Sequence, residues 1–206
     1  MTELLLIRHA ETDWNRQMRF QGHSDTPLNP RGRTQAERLA QRLLDEPIDL
    51  VVTSDLQRTR QTAEPLLGLR GLPSKADPVW REQAFGLFEG LDAATIQARH
   101  PELWAAWLRH EADLAPPGGE SNRQFHARAL SALRGLAEAH AGRRVAVVTH
   151  GGVLDMLWRT VHDLPLSGSR ACAIPNTGLN RLRWDGERLQ IVDWGDAAHL
   201  EGLATG

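Results

Sequence analysis

The 206-residue chain has no tyrosine, one cysteine and one lysine. Cys172 stands alone, so an intramolecular disulfide is excluded and stability must come from a packed core. Long apolar runs are lacking as well. Leu4-Leu5-Leu6-Ile7 is cut off by Arg8 and His9, far short of the roughly 20 residues that a helical membrane span needs. Nothing at the amino terminus has the extended apolar stretch of a secretion signal. These absences predict a soluble, cytoplasmic protein. A dominant charge of either sign is missing too: 24 basic against 26 acidic residues leave a formal charge of -2, which excludes a global field drawing the chain onto nucleic acid or membrane. Cations must therefore act locally. All but Lys75 are arginine, which reads as a compositional bias, since both side chains are cationic at neutral pH.

What is present is ordinary for a globular protein: 41% hydrophobic and 24% charged residues, enough for a sizeable core in one domain spanning residues 1–206. Short apolar runs at 3–7, 48–53 and 144–149 each end in polar residues followed by a helical pattern, the alternation of βαβ units with a buried parallel sheet. Asn29 followed by Pro30 opens a helix that carries Ala36, Leu39, Ala40 and Leu43 and should stop before Pro47. Ser54 is expected to cap a second helix, and Ser121 a long third one through Ala129, Leu133 and Leu136 that Gly142 ends. Leu179–Trp184 and Leu189–Val192 around Asp185-Gly186 read as an antiparallel hairpin at a sheet edge. Pro116-Pro117-Gly118-Gly119 is the best candidate for a mobile loop but not for a domain boundary.

Ligands of an open parallel sheet bind beyond the carboxyl ends of its strands. The polar residues there are Arg8, His9, Glu11 and Asn15 after the first strand, Ser54 and Arg58 after the second, and His150, Gly151 and Gly152 after the third. Singly, each has a structural explanation. Together, two arginines and two histidines make a cationic pocket suited to phosphate, because guanidinium groups pair bidentately with its oxygens. The nine histidines show no zinc-ligand spacing, and no nucleotide-binding glycine loop is present, so neither a metal nor another cofactor is implied.

The run Leu6-Ile7-Arg8-His9-Ala10-Glu11-Thr12 resembles the signature of the histidine phosphatase superfamily, the phosphoglycerate mutase-like enzymes, with Ala10 where the family usually has glycine. Further matches follow in family order: Asn15, Gln21-Gly22, Asp25-Thr26-Pro27-Leu28, the stretch Ser54 to Ala63, Arg81-Glu82, Phe85-Gly86 with Glu89-Gly90, Thr149-His150-Gly151-Gly152 and Asn176-Thr177-Gly178. The resemblance implies a three-layer α/β/α sandwich around a mainly parallel central sheet. It also implies a phosphatase acting on small phosphorylated metabolites through a phosphohistidine on His9. Glu82 would be the proton donor, and Arg8, Arg58 and His150 would meet the phosphoryl charge. Asn15, Gln21, Gly22 and Gly151 are expected to contact substrate, Gly151 through its backbone N–H. A homodimer is a further implication.

Between Glu82 and His150, Leu103, Trp104, Trp107 and Leu108 have helical spacing, and core packing is the expected use; the alternative is that one tryptophan lines the pocket. The segments Phe85–Gly90 and Pro116–Ser121 resemble the phosphatase branch more than the mutase branch. Two other functions remain open at this point: a phosphoglycerate mutase using the same five residues, and a phosphoester-binding protein without turnover.

Overall fold

In the computed structural model, which describes residues 1–109, 111–170 and 172–203, one six-stranded sheet has helices on both faces. Its strands are β1 (Thr2–Arg8), β2 (Leu50–Thr53), β3 (Ser74–Ala76), β4 (Arg144–Thr149), β5 (Leu179–Trp184) and β6 (Leu189–Asp196), in the spatial order β3-β2-β4-β1-β5-β6. The first four run parallel, and β5 joins β1 antiparallel with β6 outside it. The three expected apolar runs are all strands. The hairpin extends to Asp196, beyond its apolar part at Val192. β3, with three exposed residues, carries no apolar signal and has no counterpart in the sequence reading.

Alternation along the strands builds the two cores. Leu5 and Ile7 of β1, Val51, Ala146 and Val148 face α2 (Pro30–Arg42) and α3 (Gln57–Arg70), meeting Leu39, Leu43 and Leu66, while the short helices α1 (Asp13–Arg16) and α4 (Ala93–Arg99) belong to the connections between strands. Leu4 and Leu6, Val52, Val145 and Val147 face α6 (Asn122–Ala139) and α7 (Gly151–Val161), meeting Phe125, Leu133, Leu154 and Leu157. Successive side chains of a strand point to opposite faces, so an unbroken apolar strand needs a layer on each side. The result is the three-layer α/β/α sandwich with a mainly parallel sheet.

Local signals start the helices as expected in two cases. Asn29 caps α2 by accepting from Gly32 N–H, and Ser121 with Gln124 forms a capping box on α6. The expected Ser54 cap is wrong. α3 begins at Gln57, and Ser54 Oγ instead accepts from Leu56 N–H at 3.3 Å within the turn before it. The cap comes from another segment: Asp25 Oδ1 accepts Gln57 N–H at 2.7 Å. α6 also stops three residues short of Gly142, which sits in a following turn at φ 80°. The Pro116–Gly119 segment is tied down: Pro117 O accepts Leu87 N–H at 3.0 Å and Ala84 O accepts Glu120 N–H at 2.8 Å. Gly86 is required there, since at φ 50° its Cβ would meet Pro117 O at 2.2 Å.

Core packing for Leu103, Trp104, Trp107 and Leu108 is also wrong. On α5 (Pro101–Leu108) none of the four is fully buried, and Leu108 is 52% exposed. Trp104 and Trp107 instead pack edge-to-face against Phe20 and Phe88, with centroids 5.5–6.3 Å apart, and Trp107 also against Phe85 at 5.9 Å. This outlying aromatic cluster adds to burial through ring geometry. It lies beside the strand ends, away from the two sheet cores.

Candidate active site

β1 is followed by α2 on one face of the sheet, and its neighbour β4 by α7 on the other. Adjacent strands whose connections leave to opposite faces open a crevice at their carboxyl ends. Arg8 pairs with Thr149 at the end of the β1–β4 ladder, and His9 N–H donates to Thr149 O at 2.9 Å. The residues that follow, His9 and His150, therefore stand side by side with ring centroids 5.2 Å apart. Both are buried, at 3% and 0% exposure.

Their ring nitrogens have opposite uses. His9 Nδ1 lies 2.7 Å from Ala10 O, and a carbonyl only accepts, so Nδ1 carries the proton and the Nε2 lone pair is free. His150 Nδ1 faces Arg58 Nε at 3.2 Å, and a guanidinium only donates, so here Nδ1 accepts and Nε2 carries the proton. That Nε2 is buried with no partner among the described residues, a donor prepared for an oxygen. Burial, then the charges of Arg58 and Arg8, holds His9 well below the ordinary histidine pKa. Burial first, then Arg58, His9 and Arg8, does the same for His150. Both rings are neutral.

Arg58 is wholly buried on the first turn of α3, its Nη1 and Nη2 donating to Ser24 O at 2.8 Å and Gly22 O at 2.7 Å. Arg8 Nη1 donates to Ile174 O at 2.7 Å, while its Nε is buried without a partner among the described residues. Burial, chiefly, pushes both guanidinium pKa values down to about 10, so each remains a cation at neutral pH. Glu82 does not pair with Arg81, which is bound to Asp55 at 2.7 and 2.5 Å. Its carboxylate instead accepts from Gly152 N–H and Gln83 N–H, both at 3.0 Å.

Arg8, His9, Arg58 and Glu82 line one cavity of about 270 Å³. Of the expected substrate contacts, Asn15, Gln21 and Gly22 line it. Gln21 Oε1 is already used by Thr12 and Thr26. Gly151 does not line it but begins α7 beside it. Glu11 is elsewhere, ion-paired with Arg31 and accepting from Asn29, so it braces the entry to α2. Trp14, Met18, Phe20 and Phe85 give the cavity its apolar lining, beside the exposed Arg19 and Arg170. The tryptophan at the pocket is therefore Trp14, and Trp107 only backs Phe20 and Phe85.

Sequence reasoning missed the residues that hold this geometry. Arg128 donates to the carbonyls of Val79, Arg81 and Glu82 and to the Glu120 carboxylate, so it fixes the backbone that carries Glu82. Glu89 accepts from His23 and Phe85 N–H and from Ser24 Oγ, joining the Gly22 loop to the aromatic wall. Asn176 Nδ2 donates to His9 O at 2.8 Å, and Thr62 Oγ1 accepts Ala10 N–H at 2.9 Å. Only the repetition of family blocks hinted at Glu89 and Asn176; Arg128 leaves no local pattern.

The chain matches the family model of the histidine phosphatase superfamily, branch 1, over residues 4–197. It belongs to that superfamily. An Arabidopsis thaliana protein named phosphoglycerate mutase-like protein 4 is 37% identical over 97% of this chain and 87% of its own length. A metal-independent phosphoserine phosphatase from the same plant is 34% identical over 98% and 85%. Among solved structures, Bacillus stearothermophilus YhfR is 33% identical and superposes with a TM-score of 0.90 over 98% of this chain and 100% of its own. Among the described residues of this histidine phosphatase superfamily member, no group of three or more His, Cys, Asp or Glu is placed to share a metal ion. No helix there is long and apolar enough to cross a membrane.

Proposed function

We propose that the protein hydrolyses small phosphate monoesters by way of a phosphohistidine on His9, with Glu82 as the proton donor. The observation that carries this is the commitment of His9 Nδ1 to Ala10 O, which leaves Nε2 as a bare nucleophile in a cavity shared with Arg8, Arg58 and Glu82.

In the first step Nε2 attacks phosphorus and the P–O bond to the organic group breaks. Its electron pair leaves with the oxygen, which takes the proton from Glu82. In the second step Glu82 takes a proton from water, the water oxygen bonds to phosphorus, and the P–N pair returns to His9. Negative charge spread over the phosphoryl oxygens is met by donors already in place, the guanidiniums of Arg8 and Arg58 and Nε2–H of His150. Two arginines supply the cationic charge that a metal would otherwise bring, in keeping with the name of the metal-independent phosphoserine phosphatase.

The relative named phosphoglycerate mutase-like favours a second reading, in which a substrate hydroxyl rather than water takes the phosphoryl group. The relative named metal-independent phosphoserine phosphatase favours water as the acceptor, and the exposed Met18 and Arg19 beside the cavity leave it open to solvent. The test is phosphate release from an aryl phosphate and a panel of metabolite esters, with chelator present, by the native chain and by His9→Ala. Stoichiometric, chelator-resistant release lost in the variant supports the proposal. Activity surviving in His9→Ala refutes the nucleophile, and interconversion of phosphoglycerates without phosphate release selects the mutase.

A further inference from the structure

Arg159, in the last turn of α7, is a buried guanidinium outside the catalytic cavity, only 3% exposed. All five of its N–H groups are used. Nε donates to Asp155 at 2.8 Å, Nη1 to the carbonyls of Pro165 and Ser167 at 2.5 and 2.9 Å, and Nη2 to those of Gly168 and Ser169 at 3.2 and 2.6 Å. Burying a charge is costly unless every donor is satisfied, and here four of the five donors are satisfied by carbonyls of one loop, residues 165–169, and the fifth by Asp155 on the same helix. The far side of that loop is pinned too: Ala173 O accepts from Trp194 Nε1 at 3.0 Å and Ile174 O from Arg8 Nη1 at 2.7 Å.

Between the two anchors stands Arg170. It lines the same cavity as Arg8, His9, Arg58 and Glu82, and no hydrogen bond or ion pair of its side chain is seen among the described residues. Gly151 makes room for it, since a Cβ there would lie 3.1 Å from Arg170 Nη2.

We propose that Arg170 is a third guanidinium of the phosphoryl pocket, aimed there by the Arg159 strut, and that it binds the phosphate group rather than the organic part of the ester. Arg170 is exposed where Arg58 is wholly buried, so it meets the phosphate from the solvent side. Its charge is the second cause, after burial, that lowers Arg8, so the two guanidiniums repel until an anion lies between them. Arg159 touches no substrate and is a positioning residue.

The inference rests on the phosphoester reading of the site, and binding without turnover separates the two. The affinity of inorganic phosphate and of orthovanadate is measured calorimetrically for the native chain, Arg170→Gln, Arg170→Lys, Arg159→Met and the double variant. Loss of one charge-assisted donor pair should weaken both anions by about tenfold or more in Arg170→Gln, and lysine, lacking the planar fork, should restore only part. Arg159→Met should weaken binding in the native background and add nothing to Arg170→Gln. Gly151→Ala, which crowds Arg170 Nη2 while leaving the strut intact, should act in the same direction and serves if Arg159→Met does not fold. Unchanged phosphate affinity in Arg170→Gln, with KM raised only for esters that carry a second anionic group, would overturn the proposal. Equal loss from Arg159→Met in both backgrounds would overturn the strut. A native chain that binds neither anion would sink the phosphoester reading and this inference with it.

Discussion

Arg58 Nε donates to Nδ1 of His150 at 3.2 Å, so this imidazole is held in the tautomer opposite to that of its neighbour His9. One ring offers a lone pair and the other an N–H, in the same neutral state. His150→Ala should remove a transition-state donor and lower kcat by on the order of 10²–10³ with a smaller change in KM. Steady-state kinetics on an aryl phosphate decide it, and a change confined to KM would refute the assignment.

Arg58→Lys should also be severely impaired. One ammonium cannot reproduce the fork that reaches Gly22 O, Ser24 O and His150 together. A drop in kcat of about two orders of magnitude is expected; retention of most activity would show that charge alone suffices.

Glu82→Gln keeps an oxygen to accept from Gly152 N–H but has no proton to deliver. Loss should be large, about 10²–10⁴, for alkyl phosphates, whose leaving oxygen needs the proton, and clearly smaller for p-nitrophenyl phosphate. Equal losses on both would argue against a proton donor.

Stability should fall with acid. His9 and His150 are held below the ordinary histidine value of 6.5, as are His126 and His199, mainly by burial. The unfolded chain takes up those protons near pH 6.5 while the folded chain does not, so protonation favours unfolding. The contribution is intact above that pH and is lost progressively below it, down to the lowered folded values, at about 1.4 kcal/mol per pH unit for each of the buried His9 and His150 while it stays neutral, and at less for the half-buried His126 and His199. Urea unfolding at pH 7.5, 6.5 and 5.5 measures it; a flat profile across that range would contradict neutral buried imidazoles.

Asp25→Ala should cost about 1 kcal/mol of stability, the usual cost of a lost helix cap, and loosen Arg58 on the first turn of α3. Because the cap is long-range, an isolated α3 peptide should be indifferent to it. Denaturant midpoints together with phosphate affinity test both halves.

Much of this site was legible beforehand because its chemistry follows strands. Arg8-His9 and Thr149-His150 each sit where an apolar run stops, and two such runs in parallel must bring their ends together. Glu82 was legible only through resemblance, since no periodicity marks the turn that carries it. The Ser54 cap failed because a suitable residue type does not show which N–H it will meet, and the serine turned to Leu56. Trp104 and Trp107 misled through their helical spacing, which reports one shared face and not what that face covers.

By its own patterns the sequence determined five of the six strands, the two-sided core and the polar residues that stand at the strand ends, because alternation and helix capping act within a few residues. Only tertiary structure decided which nitrogen of each histidine is free, which tryptophan reaches the pocket, and which arginines are struts rather than ligands. Those outcomes depend on carbonyls and charges supplied by distant segments, such as Ile174 O for Arg8, Gly22 O for Arg58 and the loop carbonyls for Arg159. A guanidinium is satisfied by whatever acceptors the fold brings within about 3 Å, and local sequence does not encode those.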